Sequence, residues 1–165
     1  MEQRKMKALL EAVKDGSISV EEALGKMKTE PFEDLGFAKV DHHRQLRQGI
    51  AEVIYGAGKT PQQIQAIAQT MLQAGQETIL VTRMEQTCRD FLQEKLPLTY
   101  FEAGKVGIIG QMPPPWGKGK ILIVTGGTSD IPVAEEAAVT AQALGNRVER
   151  LYDVGVAGLH RLLSH

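Results

Sequence analysis

Cysteine is nearly missing: Cys88 is the only one in 165 residues. A single thiol permits no internal disulfide and no cysteine-based zinc site, and such usage fits a reducing cytoplasm. Aromatic residues are scarce at 5%, which argues against the stacking platforms that hold single-stranded nucleic acid. Charge of neither sign is in excess. Nineteen basic and 20 acidic side chains leave a formal net charge of −1, so no global field gathers nucleic acid or an anionic membrane. No apolar run approaches the length that spans a bilayer, and the charged start MEQRKMKALLEAVKDG lacks the apolar centre of a signal peptide. What is present is ordinary globular composition, 42% hydrophobic and 24% charged, enough for one domain or one with a small appendage.

The pattern along the chain is α/β. Met6, Leu9, Leu10 and Val13 fall on one helical face, and Gly16 ends that helix. Ser19 with Glu22 forms a capping-box pattern before a second short helix. Residues 1–36 thus read as a helical hairpin followed by a linker, KTEPFEDLGF. Residues 37–110 read as a small α/β unit. It comprises a strand in EVIYG, a helix opened by Thr60, Pro61 and Gln63 and closed by Gly75, a strand in ETILVT, a helix over 84–96, and strands in LTYF and KVGIIG. The prolines of QMPPPWGKGK favour an extended segment, read as a stiff linker over 111–119. The alternatives are an ordered loop packed by Trp116 and, more weakly, a ligand for a proline-reading domain. Residues 120–165 then give strand 120–125, helix 131–144, strand 147–153 and a helix from about 156. ILIV suits a strand buried on both faces of a parallel sheet, and Val133, Ala134, Ala137, Ala138, Ala141 and Leu144 share one face of the helix. Two strands are few for an open α/β sheet, so this last module reads as incomplete.

Five stretches carry candidate chemistry. Gly126, Gly127, Thr128, Ser129 and Asp130 lie where a strand meets a helix N-terminus, a place that favours a phosphate or carboxylate. The same residues also suit a tight turn with Asp130 as helix cap, and the pattern is not GxGxxG. GAGKT, Gly56 to Thr60, lacks the first glycine of a P-loop because Val53 stands there, and Pro61 follows; it reads as a structural turn. In DHHR, adjacent His42 and His43 diverge on a strand or a helix, which is poor metal-ligand spacing. Arg44 and Arg47, three apart, form either an anion clamp or part of an ion-paired surface. Cys88, mid-helix without an obvious neighbouring base, reads as a packed thiol rather than a nucleophile. His160 and Arg161 on the last helix face either a crevice or solvent. No catalytic residue, metal or bound cofactor is assigned.

VDHHRQLRQGIAEVIYGAGKTPQQI and GTSDIPVAEEAAVTAQALGNRVERLYDVGVAGLHRLL closely resemble the LarB family, the carboxylase/hydrolases of nickel-pincer nucleotide biosynthesis, which are related to the PurE aminoimidazole ribonucleotide carboxylase/mutases. The resemblance runs along nearly the whole chain. It implies an incomplete PurE-like, flavodoxin-like βαβα module with a parallel sheet over 120–165, and nicotinic acid adenine dinucleotide with carbon dioxide or bicarbonate as substrates. It implies carboxylation of the pyridinium ring and hydrolysis of the phosphoanhydride with release of AMP, on the way to the lactate-racemase cofactor. The PurE-like G-S-D-S-D maps onto Gly126 to Asp130, with departures at Gly127 and Thr128, so Ser129 is expected at phosphate and Asp130 at a ribose hydroxyl. PurE-like S-A-H-R after the second strand is replaced by Asp153, Val154, Gly155 and Val156, which disfavours an imidazole-ribotide substrate. Asp153, Gly155, His160 and Arg161 are candidates for a second wall of the crevice. The family's nucleophilic cysteine belongs to a C-terminal half with no counterpart here, so the chain is expected to be the N-terminal part of such an enzyme and inactive alone. The alternatives are a non-catalytic nucleotide-binding or assembly module and a PurE-type mutase. A homo-oligomer is expected, with no nucleic-acid or membrane partner.

Overall fold

A computed structural model describes residues 2–27, 32–42, 44 and 48–164. It divides into two compact units, one drawing on Met1–Glu52 and Gln69–Gln76, the other on Val53–Ala68 and Glu77–His165.

In the first unit, helices α1 (Glu2–Lys14) and α2 (Val20–Met27) pack on each other. Gly16 turns the chain between them at φ 78°, a conformation that glycine adopts without a Cβ penalty. Ser19 and Glu22 cap α2 reciprocally. The Glu22 N–H donates to Ser19 Oγ at 3.0 Å and the Ser19 N–H donates to Glu22 Oε2 at 3.0 Å. Residues 32–37, expected to be linker, are instead strand and turn. Strands β1 (Phe32–Asp34) and β2 (Lys39–Asp41) pair antiparallel, Glu33 opposite Val40. The Gly36 N–H closes the turn onto Asp34 Oδ1 at 2.8 Å, and Val40 is buried. Three-residue strands as polar as FED and KVD carry too little alternation to stand out in sequence.

The second unit holds a mixed sheet in the order β3-β4-β6-β5. Its strands are β3 (Ile54–Tyr55), β4 (Thr78–Thr82), β5 (Leu98–Phe101) and β6 (Val106–Gly110). Strands β3 and β4 run parallel, while β6 is antiparallel to both β4 and β5. Helix α3 (Pro61–Gln73) follows β3 and contributes its last turn to the first unit. Its start is the expected capping box: the Gln63 N–H donates to Thr60 Oγ1 at 3.2 Å and the Thr60 N–H to Gln63 Oε1 at 2.9 Å. Helix α4 (Gln86–Leu92) is shorter than the 84–96 expected, and residues 93–95 form turns.

Strands β7 (Lys120–Val124) and β8 (Arg147–Leu151) pair in parallel, Ile121 opposite Val148 and Val124 opposite Leu151. Helix α5 (Ile131–Ala143) joins them and packs both on this pair and on β4 and β6 of the mixed sheet. That double role explains its alanine content, since small side chains let two layers approach one helix. The buried stripe is Ala134, Ala138 and Val139, with Val139 packed against Leu80, Val106 and Ile108. Val133 and Ala137, expected on this face, point outward. A second expectation also fails. Strand β7 is not buried on both faces: Leu122 is 54% and Val124 51% exposed, because one strand and one helix cover it. A short helical turn (Val156–Gly158) and helix α6 (Leu159–Leu163) follow β8.

The 111–119 segment lies within the second unit. Its end is tied to the turn after α5, where the Trp116 and Gly117 N–H groups both donate to the Gly145 carbonyl, at 2.8 and 3.0 Å.

Candidate functional site

The parallel pair β7–β8 ends in two loops at the same sheet edge, the position where open α/β sheets bind ligands. After β7 come Thr125, Gly126, Gly127 and a single 3₁₀ turn, Thr128–Asp130, which runs directly into α5. After β8 come Tyr152, Asp153, Val154 and Gly155. Thr125 ties the two loops together. It is 4% exposed, its hydroxyl accepts the Asp153 N–H at 3.0 Å, and its carbonyl accepts the Val154 N–H at 3.0 Å. Gly155 then presses on Gly126: a Cβ at 155 would overlap the Gly126 carbonyl oxygen and lie 3.1 Å from its carbon.

Asp130 does not cap α5. Its backbone is already helical, with φ −86° and ψ −13°, and its carboxylate reaches back to accept the Gly127 N–H at 3.1 Å. Asp130 stands three residues after Gly127, the spacing of a capping-box reach, and the intervening 3₁₀ turn folds its carboxylate back onto that N–H. Thr128 and Ser129 sit exposed at the tip. On the second loop, Asp153 adopts φ 60°, an uncommon conformation for a residue with a side chain. Its carboxylate pairs with the Arg161 guanidinium at 2.6 Å. The two carboxylates and one guanidinium leave this edge with no surplus of positive charge.

The sheet edge thus collects Gly126, Gly127, Thr128, Ser129, Asp130, Asp153, Gly155 and Arg161, while His160 is exposed on α6. Arg44 belongs to the other compact unit and donates from Nε to Gln48 Oε1 at 3.1 Å; Arg47 and His43 lie outside the described residues. His42 Nε2 is 3.5 Å from Glu33 Oε2. Among the described residues no three of His, Cys, Asp and Glu group as metal ligands. GAGKT forms a turn in which the Gly56 N–H donates to the Thr82 carbonyl at 2.7 Å, and Thr60 is spent on its cap.

One further cluster supports the edge. Arg150 on β8 binds Glu135 of α5 through both carboxylate oxygens, at 2.9 and 3.1 Å, and the Tyr152 hydroxyl donates to the same carboxylate at 2.8 Å. Burial pushes the Glu135 carboxyl up. Hydrogen bonds from Arg150 and Tyr152, with the Arg150 charge, outweigh burial and leave it below the ordinary glutamate value. Glu135, Arg150 and Tyr152 were not marked by any local motif, because their partners lie 15 to 17 residues away.

Cys88 is buried. Burial, and next the Glu85 carboxylate, push its thiol pKa up, so it is protonated at neutral pH and a poor nucleophile.

Residues 32–111, which hold β1 to β6, match the family described as the LarB/PurE-like N-terminal domain. This segment is a LarB-like, PurE-related N-terminal domain. An uncharacterized protein of Methanocaldococcus jannaschii is 36% identical over 168 residues, covering 96% of this chain and 65% of its own length. The chain therefore spans just under two thirds of that relative. The described residues are mixed α/β, with small sheets that include parallel strands, consistent with a partial PurE-like, flavodoxin-like module. Among the described residues no helix is long and apolar enough to cross a membrane.

Proposed function

We propose that this chain is the N-terminal part of a LarB-type pyridinium-3,5-biscarboxylic acid mononucleotide synthase. Its share of the work is to hold the nucleotide, nicotinic acid adenine dinucleotide, at the β7–β8 edge. The whole enzyme would carboxylate the pyridinium ring with carbon dioxide or bicarbonate and hydrolyse the phosphoanhydride, releasing AMP. The observation that carries the reading is the convergence of the two loops, with Gly155 seated on Gly126 beside an exposed 3₁₀ turn that leads into a 13-residue helix. The Thr128 and Ser129 N–H groups and hydroxyls offer donors to a phosphate, aided by the helix dipole. Asp130 is acceptor-only when ionised. It repels a bare phosphate dianion and accepts from a ribose hydroxyl, so the turn prefers a nucleotide to free phosphate. Asp153 holds Arg161 at the rim, where the guanidinium can exchange partners with a second phosphate.

A non-catalytic binding role is the second reading for these residues, favoured by the buried, protonated Cys88. Binding without preferential transition-state contacts does not accelerate chemistry. A cytoplasmic site of action and homo-oligomeric assembly belong to the same proposal; the exposed apolar side chains of β7 support the second.

Calorimetric titration tests it. The dinucleotide binds and inorganic phosphate binds far more weakly. Ser129→Ala weakens the dinucleotide, and Asp130→Asn weakens it by about tenfold, the worth of one charge-assisted hydrogen bond, while strengthening phosphate. Absence of dinucleotide binding, or a rise in both affinities in Asp130→Asn, would refute the reading.

A further inference from the structure

We propose that the LarB-like domain aims the nucleotide-binding turn by gripping helix α5, with Gly104 and Arg83 as positioning residues; this rests on the functional reading above. Gly104 lies in the turn between β5 and β6. A Cβ there would stand 2.6 Å from the Glu136 nitrogen and 2.8 Å from the Glu135 carbonyl carbon. The obstacle is helix backbone, which cannot yield as a side chain tip would. The turn of the LarB-like domain is thus in direct contact with the second turn of α5. Arg83, at the end of β4 with φ 52°, donates from Nε to the Glu136 carboxylate at 2.8 and 2.9 Å. One residue earlier, Glu135 takes the opposite grip, on Arg150 and Tyr152 of the β8 strand and loop.

Consecutive helical residues project about 100° apart, so the Glu135–Glu136 step faces two layers at once. One carboxylate is held by the LarB-like domain. The other is held by the strand that feeds Asp153 and Gly155. The 3₁₀ turn Thr128–Asp130 is the direct extension of α5, so shifting the helix shifts both walls of the edge. The Arg83–Glu136 pair is partly exposed and contributes little to stability alone. The backbone contact at Gly104 is the stronger lever.

The test uses the full 165-residue chain and compares amide spectra without ligand. Gly104→Ala is expected to move the resonances of Gly126 to Asp130 and Tyr152 to Gly155 and to lower dinucleotide affinity about three- to tenfold. Unmoved resonances there, with movement confined to Glu135 and Glu136, overturn the proposal. If Gly104→Ala does not fold, Arg83→Gln serves instead. It should move the same resonances to a smaller extent, and Arg83→Lys should restore them; no change in Arg83→Gln overturns the proposal. Should the wild-type chain bind no dinucleotide, the functional reading fails, and the ligand-free resonances still decide whether the LarB-like domain positions the turn.

Discussion

Replacing Gly155 by alanine sets two opposing effects against each other. Gly155 has φ −63° and ψ 150°, a conformation that alanine adopts without strain. On backbone grounds alone the substitution stabilises by about 0.4–1 kcal/mol, because it restricts the unfolded chain. Against this stands the contact with Gly126. The new Cβ would overlap the Gly126 carbonyl oxygen and lie 3.1 and 3.4 Å from its carbon and Cα. Both sides are backbone, and Thr125 bonds to Asp153 and Val154 oppose separation of the loops. Overpacking of this kind costs about 1–3 kcal/mol, so steric cost exceeds entropic gain and Gly155→Ala is destabilising by about 1–2 kcal/mol. In a chain of this size that lowers Tm by about 2–8 °C. Urea and thermal unfolding followed by circular dichroism measure it. Gly119→Ala is the control, since its Cβ meets nothing within 4 Å, and it should be neutral or slightly stabilising. A Gly155→Ala protein as stable as wild type or more so would refute the contact between the loops.

Glu135→Gln should cost about 1.5 kcal/mol at neutral pH by weakening the Arg150 and Tyr152 bonds. Because the folded Glu135 value is lowered, its contribution is full above the ordinary value of 4.5 and is lost as pH falls through the lowered folded value. Unfolding curves of wild type and variant should converge in acid; a constant difference down to low pH would contradict the pairing. Cys88 should resist iodoacetamide in the folded chain at pH 7 and react readily once unfolded; rapid modification of the native chain would overturn its assignment as a packed thiol. Residues 111–119 lie inside one compact unit, and their reading as a linker concerns that segment alone: limited proteolysis should cut within 111–119 before it cuts within 120–145. Survival of that segment together with early loss of β7 would sink the linker reading.

Local chemistry was legible in the sequence and long-range contact was not. The two capping boxes, Ser19–Glu22 and Thr60–Gln63, are three-residue patterns whose partners are fixed by helix geometry, and both form. The glycine stops at Gly16 and Gly75 follow from positive φ. The βα turn at Gly126 to Asp130 was visible from strand, small residues and helix in succession. Its inner bond was not, because a 3₁₀ turn and a helix cap demand the same residues and differ only in which N–H the Asp130 carboxylate takes. Gly104 and Gly155 are small because distant backbone touches them, and nothing within a few residues of either announces it. The Glu135–Arg150–Tyr152 cluster joins a helix to the next strand, and the exposure of β7 depends on what covers it. A hairpin of two three-residue strands, β1–β2, lies below what alternation can reveal.

The central claim is that a nucleotide binds at the β7–β8 edge, and mapping amide shift changes during titration with nicotinic acid adenine dinucleotide tests it most directly. The account predicts changes concentrated at Thr125 to Asp130 and Asp153 to Arg161, saturating with a single affinity that is about tenfold weaker in Asp130→Asn. Changes concentrated at Gly56 to Thr60, or no changes at dinucleotide concentrations well above those of a cellular cofactor, would contradict it.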